Sequence, residues 1–207
     1  MSLKSRFDHS AEHFRMPHND SDILSLMSER IISWFPEIPR EYVILCIGTD
    51  RSTGDALGPL AGTFLQESKP KHMNIYGTLH RPVHAVNLQE SIDTIKSNHR
   101  NPFIIAIDAC LGRNSSIGHI ITEKGPLQPG SALNKALPPI GDINVTGVVN
   151  ISGFMEHSIL QSTRLSIVMD MARQISSILN RIDQRLTYNP SPSVVIPKEQ
   201  QVKKWTV

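Results

Sequence analysis

Six consecutive apolar residues, Tyr42-Val43-Ile44-Leu45-Cys46-Ile47, run directly into Gly48-Thr49-Asp50-Arg51-Ser52-Thr53-Gly54-Asp55-Ala56-Leu57-Gly58-Pro59. An unbroken run of β-branched and aliphatic residues fits a strand covered on both faces, the kind found inside parallel α/β sheets. The loop after it carries two carboxylates, Asp50 and Asp55. Folds of this class place their chemistry at the carboxyl edge of the sheet. A second apolar run, Phe103-Ile104-Ile105-Ala106-Ile107, ends at Asp108. Asp55 and Asp108 are therefore expected to face each other across one cleft.

The rest of the chain alternates around these strands. Ser21 or Asp22 stands where a helix cap belongs, ahead of Ile23, Met27, Ile31 and Trp34 at three- and four-residue spacing; Pro36 and Pro39 end that helix. Ala56 to Gln66 reads as a helix with Leu57, Leu60, Ala61, Phe64 and Leu65 on one stripe. Pro59 falls in its first turn, where a missing N–H does no harm. Met73 to Leu79 reads as a strand with His80 and His84 beyond it, and Asn87 to Ser97 as a helix leading to the strand that ends at Asp108. Ser116 to Thr122 and Asn144 to Ile151 are further strands, and from Phe154 to Leu186 apolar residues at helical spacing predict one long helix over the sheet. Between them, Gly125, Pro126, Pro129-Gly130-Ser131 and Pro138-Pro139 set a long irregular connection of the kind that carries function in compact domains. The expected fold is α/β, a three-layer α/β/α sandwich with a mostly parallel sheet and right-handed crossovers. It occupies residues 21–186 as a single domain, between a flexible leader over 1–20 and a flexible tail over 187–207.

Composition narrows the function classes. A net charge of +2 is too small to argue for a nucleic-acid surface. No apolar run approaches the ~20 residues of a membrane span, so a soluble cytoplasmic protein is expected, with no membrane or direct nucleic-acid partner. Cys46 and Cys110 lie in apolar settings that suit buried free thiols in a reducing compartment, with a disulfide as the alternative. A homo-oligomer is compatible with this composition.

Two carboxylates brought together share a proton, because like charges raise one pKa and leave one acid and one base. Such a pair activates water against an amide. Asp55 also suits an N-cap of the following helix, and Asp108 a strand-end turn; these roles do not exclude catalysis. Gly48, Gly54 and Gly58 match neither the dinucleotide fingerprint nor the P-loop, and no cofactor is called for. Asp50, Thr53 and the turn Pro129-Gly130-Ser131 are the candidate substrate-binding residues. Ser131 lacks the glycine pattern of a nucleophile elbow. Cys110 reads as a buried thiol before a nucleophile, and His157 near a helix start is placed to reach the same sheet edge.

Thr53-Gly54-Asp55-Ala56-Leu57-Gly58-Pro59, Ala106-Ile107-Asp108-Ala109 and Pro129-Gly130-Ser131-Ala132 resemble the matching segments of the germination protease of endospore-forming bacteria. The chain is more similar still to the YyaC-type sporulation protein family, which shares these blocks and the segment from Gly153 to Leu165. The resemblance implies an atypical acid endopeptidase acting on small acid-soluble spore proteins in the forespore or spore core, with Asp55 and Asp108 as its catalytic pair. The fold it implies is also that of hydrogenase-maturation endopeptidases. That analogy offers a metal-recognising alternative through Asp55, Asp108 and His157, beside a third reading as a non-catalytic peptide-binding sporulation factor. Leu133-Asn134-Lys135 departs from the glycine-rich continuation of the larger protease.

Overall fold

The computed structural model describes residues 11–129, 138–189 and 194–197. In chain order its elements are β1 (His13–Pro17), α1 (Ile23–Ser33), β2 (Tyr42–Cys46), α2 (Leu57–Glu67), β3 (Met73–Tyr76), α3 (Leu88–Asn98), β4 (Phe103–Gly112), β5 (His119–Lys124), β6 (Ile143–Ile151), α4 (Glu156–Gln161), α5 (Leu165–Arg185), β7 (Leu186–Asn189) and β8 (Val194–Pro197).

The first six strands form one sheet in the order β1-β5-β6-β4-β2-β3. β3, β2, β4 and β6 run parallel, while β5 is antiparallel to both β6 and β1. Every residue of β2 is buried, as its unbroken apolar run requires, since helices cover both sides of it. On one face Ile44, Ile105 and Ile107 pack with α1, α2 and α5; on the other Val43, Leu45 and Ile104 pack with Leu88, Ile92 and Ile95 of α3. The fold is the expected α/β sandwich. Each fully buried aliphatic side chain on these faces contributes about 1.5–3 kcal/mol, which is why α5, with Val168, Ala172, Ile175, Leu179 and Ile182 along one stripe, clamps the sheet.

Four expectations are corrected. Part of the supposed leader is the edge strand β1, which pairs with β5 from His13–Glu123 to Pro17–His119. Phe14 and Met16 turn onto the core while polar neighbours alternate outward, a period too short to stand out among so many charges. The long helix from Phe154 is two helices. Thr163 donates its hydroxyl to the Ile159 carbonyl (2.9 Å) and Asn150 donates to the same carbonyl (3.2 Å), which ends α4 before α5 begins. Part of the supposed tail pairs as the antiparallel hairpin β7–β8, consistent with the β-branched residues Thr187, Val194, Val195 and Ile196. Finally, β4 does not stop at Asp108 but continues to Gly112.

Candidate active site

β4 outruns its neighbour. The last β2–β4 pair is Cys46–Ile107, and the Ile47 amide closes the ladder on the Ile107 carbonyl (2.7 Å). Asp108 is the next residue, paired with Thr146 of β6. It is thus held rigidly inside a strand at the point where β2 ends, which rules out a strand-end turn role.

The loop from β2 to α2 folds back over this point. Gly48 has φ +143°, and a Cβ there would lie 1.9 Å from the Asp55 carbonyl oxygen; the Thr49 amide donates to that same oxygen (3.1 Å). A Cβ on Gly58 would meet the Ile47 carbonyl at 2.1 Å, so both glycines are required by close backbone approach. α2 starts at Leu57 with Ala56 at the N-cap and no side-chain capping bond. The Asp55 carboxyl is not spent as a cap.

The two carboxyls interact. Asp108 is pushed up to about 8, chiefly by loss of water around it, with the Asp55 charge adding in the same direction and the Ala109 amide opposing. That amide donates to Asp108 Oδ1 at 2.8 Å. Asp108 keeps some exposed surface, but its carboxyl lies deep enough among protein atoms for burial to dominate. Asp55 is also raised by burial, held back by the Ser52 hydroxyl and by the charge of His157. Ser52 is 4% exposed, so its hydroxyl is shielded from solvent beside Asp55. Burial therefore makes both carboxyls harder to ionise, Asp108 the more strongly.

α4 completes this edge. The Gly54 amide donates to the Leu160 carbonyl (2.8 Å), tying the loop to α4, and Asn150 at the end of β6 donates to Ile159 from the other side. His157, on the first turn of α4, is exposed and bonded to Gln161 (3.2 Å) while its charge reaches Asp55. Of the expected substrate-binding residues, Asp50 is exposed in the loop's outer turn, Thr53 is half-buried, and Pro129 is buried. Gly130 and Ser131 lie outside the described residues. Cys46 and Cys110 are free thiols. Burial pushes Cys110 up to about 11, so it is a thiol and not a thiolate nucleophile at neutral pH. Among the described residues no three His, Cys, Asp or Glu side chains converge to hold a metal ion, so Asp55, Asp108 and His157 are not a preassembled cage. A cavity of about 550 Å³ opens one strand away, lined by Tyr76, Thr78, Arg81, His84 and Asn87. Ser52 and Asn150 escaped the sequence reading, because a serine in a loop and an asparagine in a strand carry no motif.

Fold and site together define an α/β/α protein with an acidic pair at the carboxyl edge of its parallel strands. The chain belongs to the family described as "Protein of unknown function (DUF1256)", whose model matches residues 15–178. It is 51% identical over 145 residues, 70% of this chain and 71% of the relative, to "Uncharacterized protein YyaC" of Bacillus subtilis (strain 168). The YyaC-type resemblance therefore stands. Among solved structures it is similar to the [NiFe] hydrogenase maturation protease HycI from Thermococcus kodakarensis KOD1, with TM-score 0.48 and 18% identity, covering 70% of this chain and 94% of that one. No helix among the described residues is long and apolar enough to cross a membrane.

Proposed function

We propose that this protein is an endopeptidase of the germination-protease type, using Asp55 and Asp108 to hydrolyse a peptide bond in small acid-soluble spore proteins. What supports this reading is the position of Asp108 where β4 passes the end of β2, with Asp55 on the loop that folds back there and its charge acting on Asp108. Asp108, raised to about 8 and neutral at pH 7, is the proton donor. Asp55, whose ionised form Ser52 and His157 favour, is the base. Asp55 takes a proton from water as the oxygen attacks the scissile carbonyl, and Asp108 gives its proton to the leaving amide nitrogen. The acyl product takes the hydroxyl of the water and the amine takes the Asp108 proton; the remaining water proton, left on Asp55, then returns through solvent to Asp108 and resets the pair. His157, exposed at the rim, tunes Asp55 and takes no proton from the substrate. A site within the spore core follows from this substrate class.

The test is cleavage of a purified small acid-soluble spore protein, followed by mass spectrometry. Asp55→Asn and Asp108→Asn should each lower the rate by about 100-fold or more, the range removed with a general acid or base, while the fold is kept by circular dichroism. Undiminished cleavage by either variant overturns the mechanism.

A further inference from the structure

Among the described residues, the end of β4 beside Asp108 has no strand paired on its β2 side. The Ile107 carbonyl accepts from Ile47 on the β2 side (2.7 Å), whereas the Gly112 carbonyl accepts from Ser152 on the β6 side (2.8 Å). Peptide groups alternate in direction along a strand, so Ala109 and Leu111 aim theirs into the lane that β2 vacates after Cys46. Asp108 Oδ1 occupies the Ala109 amide. Among the described residues no hydrogen bond reaches the Ala109 carbonyl or either peptide group of Leu111 on that side. Residues 108–112 all keep partial exposure, unlike the buried first half of the strand.

An apolar patch lies where the chain leaves β6 beside the end of β4. Ile151 is 45%, Met155 70% and Phe154 99% exposed. Met155 holds φ 65°, a conformation that costs a side-chain-bearing residue free energy. Exposed large apolar groups clustered at one rim mark an interaction site.

We propose that the free edge of β4 from Ala109 to Leu111 seats an extended polypeptide segment as an added strand, with an apolar side chain of that segment on Phe154 and Met155. Open backbone donors and acceptors are the chemistry that selects an extended backbone over a small molecule or a folded surface. At about 3.3 Å per residue, a strand held at Ala109 and Leu111 presents its next peptide bond beside Asp108. This inference rests on the peptidase reading and gives it a substrate class: locally unfolded chain, read through its backbone first and one apolar side chain second.

The test uses the full-length Asp108→Asn protein, 15N-labelled, with dodecapeptides selected against it from a random phage library. Backbone N-methylation is then scanned along the best peptide. The expected result is loss of affinity of about tenfold or more at alternate positions only, new protection of the Leu111 amide from hydrogen exchange, and weaker binding to Phe154→Ser. Leu111→Pro removes the amide aimed into the lane and should weaken binding similarly, with circular dichroism checking that the fold is kept, since Leu111 also pairs with Asn150 of β6. Failure to select any peptide, uniform insensitivity to N-methylation, or protection elsewhere overturns the proposal. Alternating sensitivity in a protein whose wild type cleaves nothing would keep the docking edge and remove the peptidase reading; cleavage indifferent to N-methylation away from the scissile bond would do the reverse.

Discussion

Asp108 stands where β4 passes the end of β2, within reach of the charge of Asp55 on the loop that β2 feeds. Each carboxyl is harder to ionise than a solvated aspartate, but Asp108 is the more affected because a central strand holds it, whereas Asp55 has Ser52 and His157 nearby.

The activity profile of such a pair is a bell. Its alkaline limb should fall near pH 8 as Asp108 loses its proton, and its acid limb should lie above the ordinary aspartate range as Asp55 gains one. The dependence of kcat/KM on pH for a spore-protein peptide measures both limbs. A rate that stays level through pH 9 would exclude Asp108 as the acid.

Stability carries the same signature with a definite sign. The folded protein keeps a proton on Asp108 that the unfolded chain, with an aspartate pKa of about 3.9, releases. Stability is therefore greatest at the acid end of this window and declines as pH rises from about 4 to about 8, with Asp55 adding in the same direction. Urea unfolding at several pH values checks this. Asp108→Asn should flatten the decline; an unchanged slope would show that Asp108 is not the buried titrating group.

Gly48 holds the loop shut. In Gly48→Ala the new methyl would sit 1.9 Å from the Asp55 carbonyl oxygen, so the loop must move and carry Asp55 with it. Misplacement on the order of 1 Å costs about 100-fold in rate. The expected outcome is a folded protein with kcat/KM reduced by about that factor and KM less affected. Wild-type activity in this variant would mean that the loop position does not set the geometry.

Far from the site, Asp183 of α5 is 4% exposed and accepts the Lys71 and His72 amides, each at 2.8 Å. It fixes the entry to β3. Asp183→Ala orphans two backbone donors and should cost about 3 kcal/mol, while Asp183→Asn keeps one acceptor and should cost about half as much. Denaturant midpoints rank the three proteins. Equal midpoints would show that solvent replaces both bonds.

Much of this architecture was written in local pattern. The unbroken run Tyr42 to Ile47 could only be a doubly covered strand, and the two chain segments ending at Asp55 and Asp108 announced one edge of one sheet. The stripes of α1, α2 and α3 were readable because helical spacing of large aliphatic residues has few other uses. What misled was equally physical. Phe14 and Met16 make only two inward steps, too few for a period, and a helix interior tolerates Ser162 and Thr163 until Asn150 supplies a competing hydrogen bond.

The sequence by itself determined which segments are buried and where acidic side chains follow them, because burial depends on residue type and spacing along a short stretch. Only the tertiary structure decided that β4 outruns β2, that Ser52 and His157 flank Asp55, and that β1 joins the sheet. Those depend on pairing register and on contacts between residues far apart in the chain, where the choice among partners is made by packing and hydrogen-bond geometry and leaves no local trace.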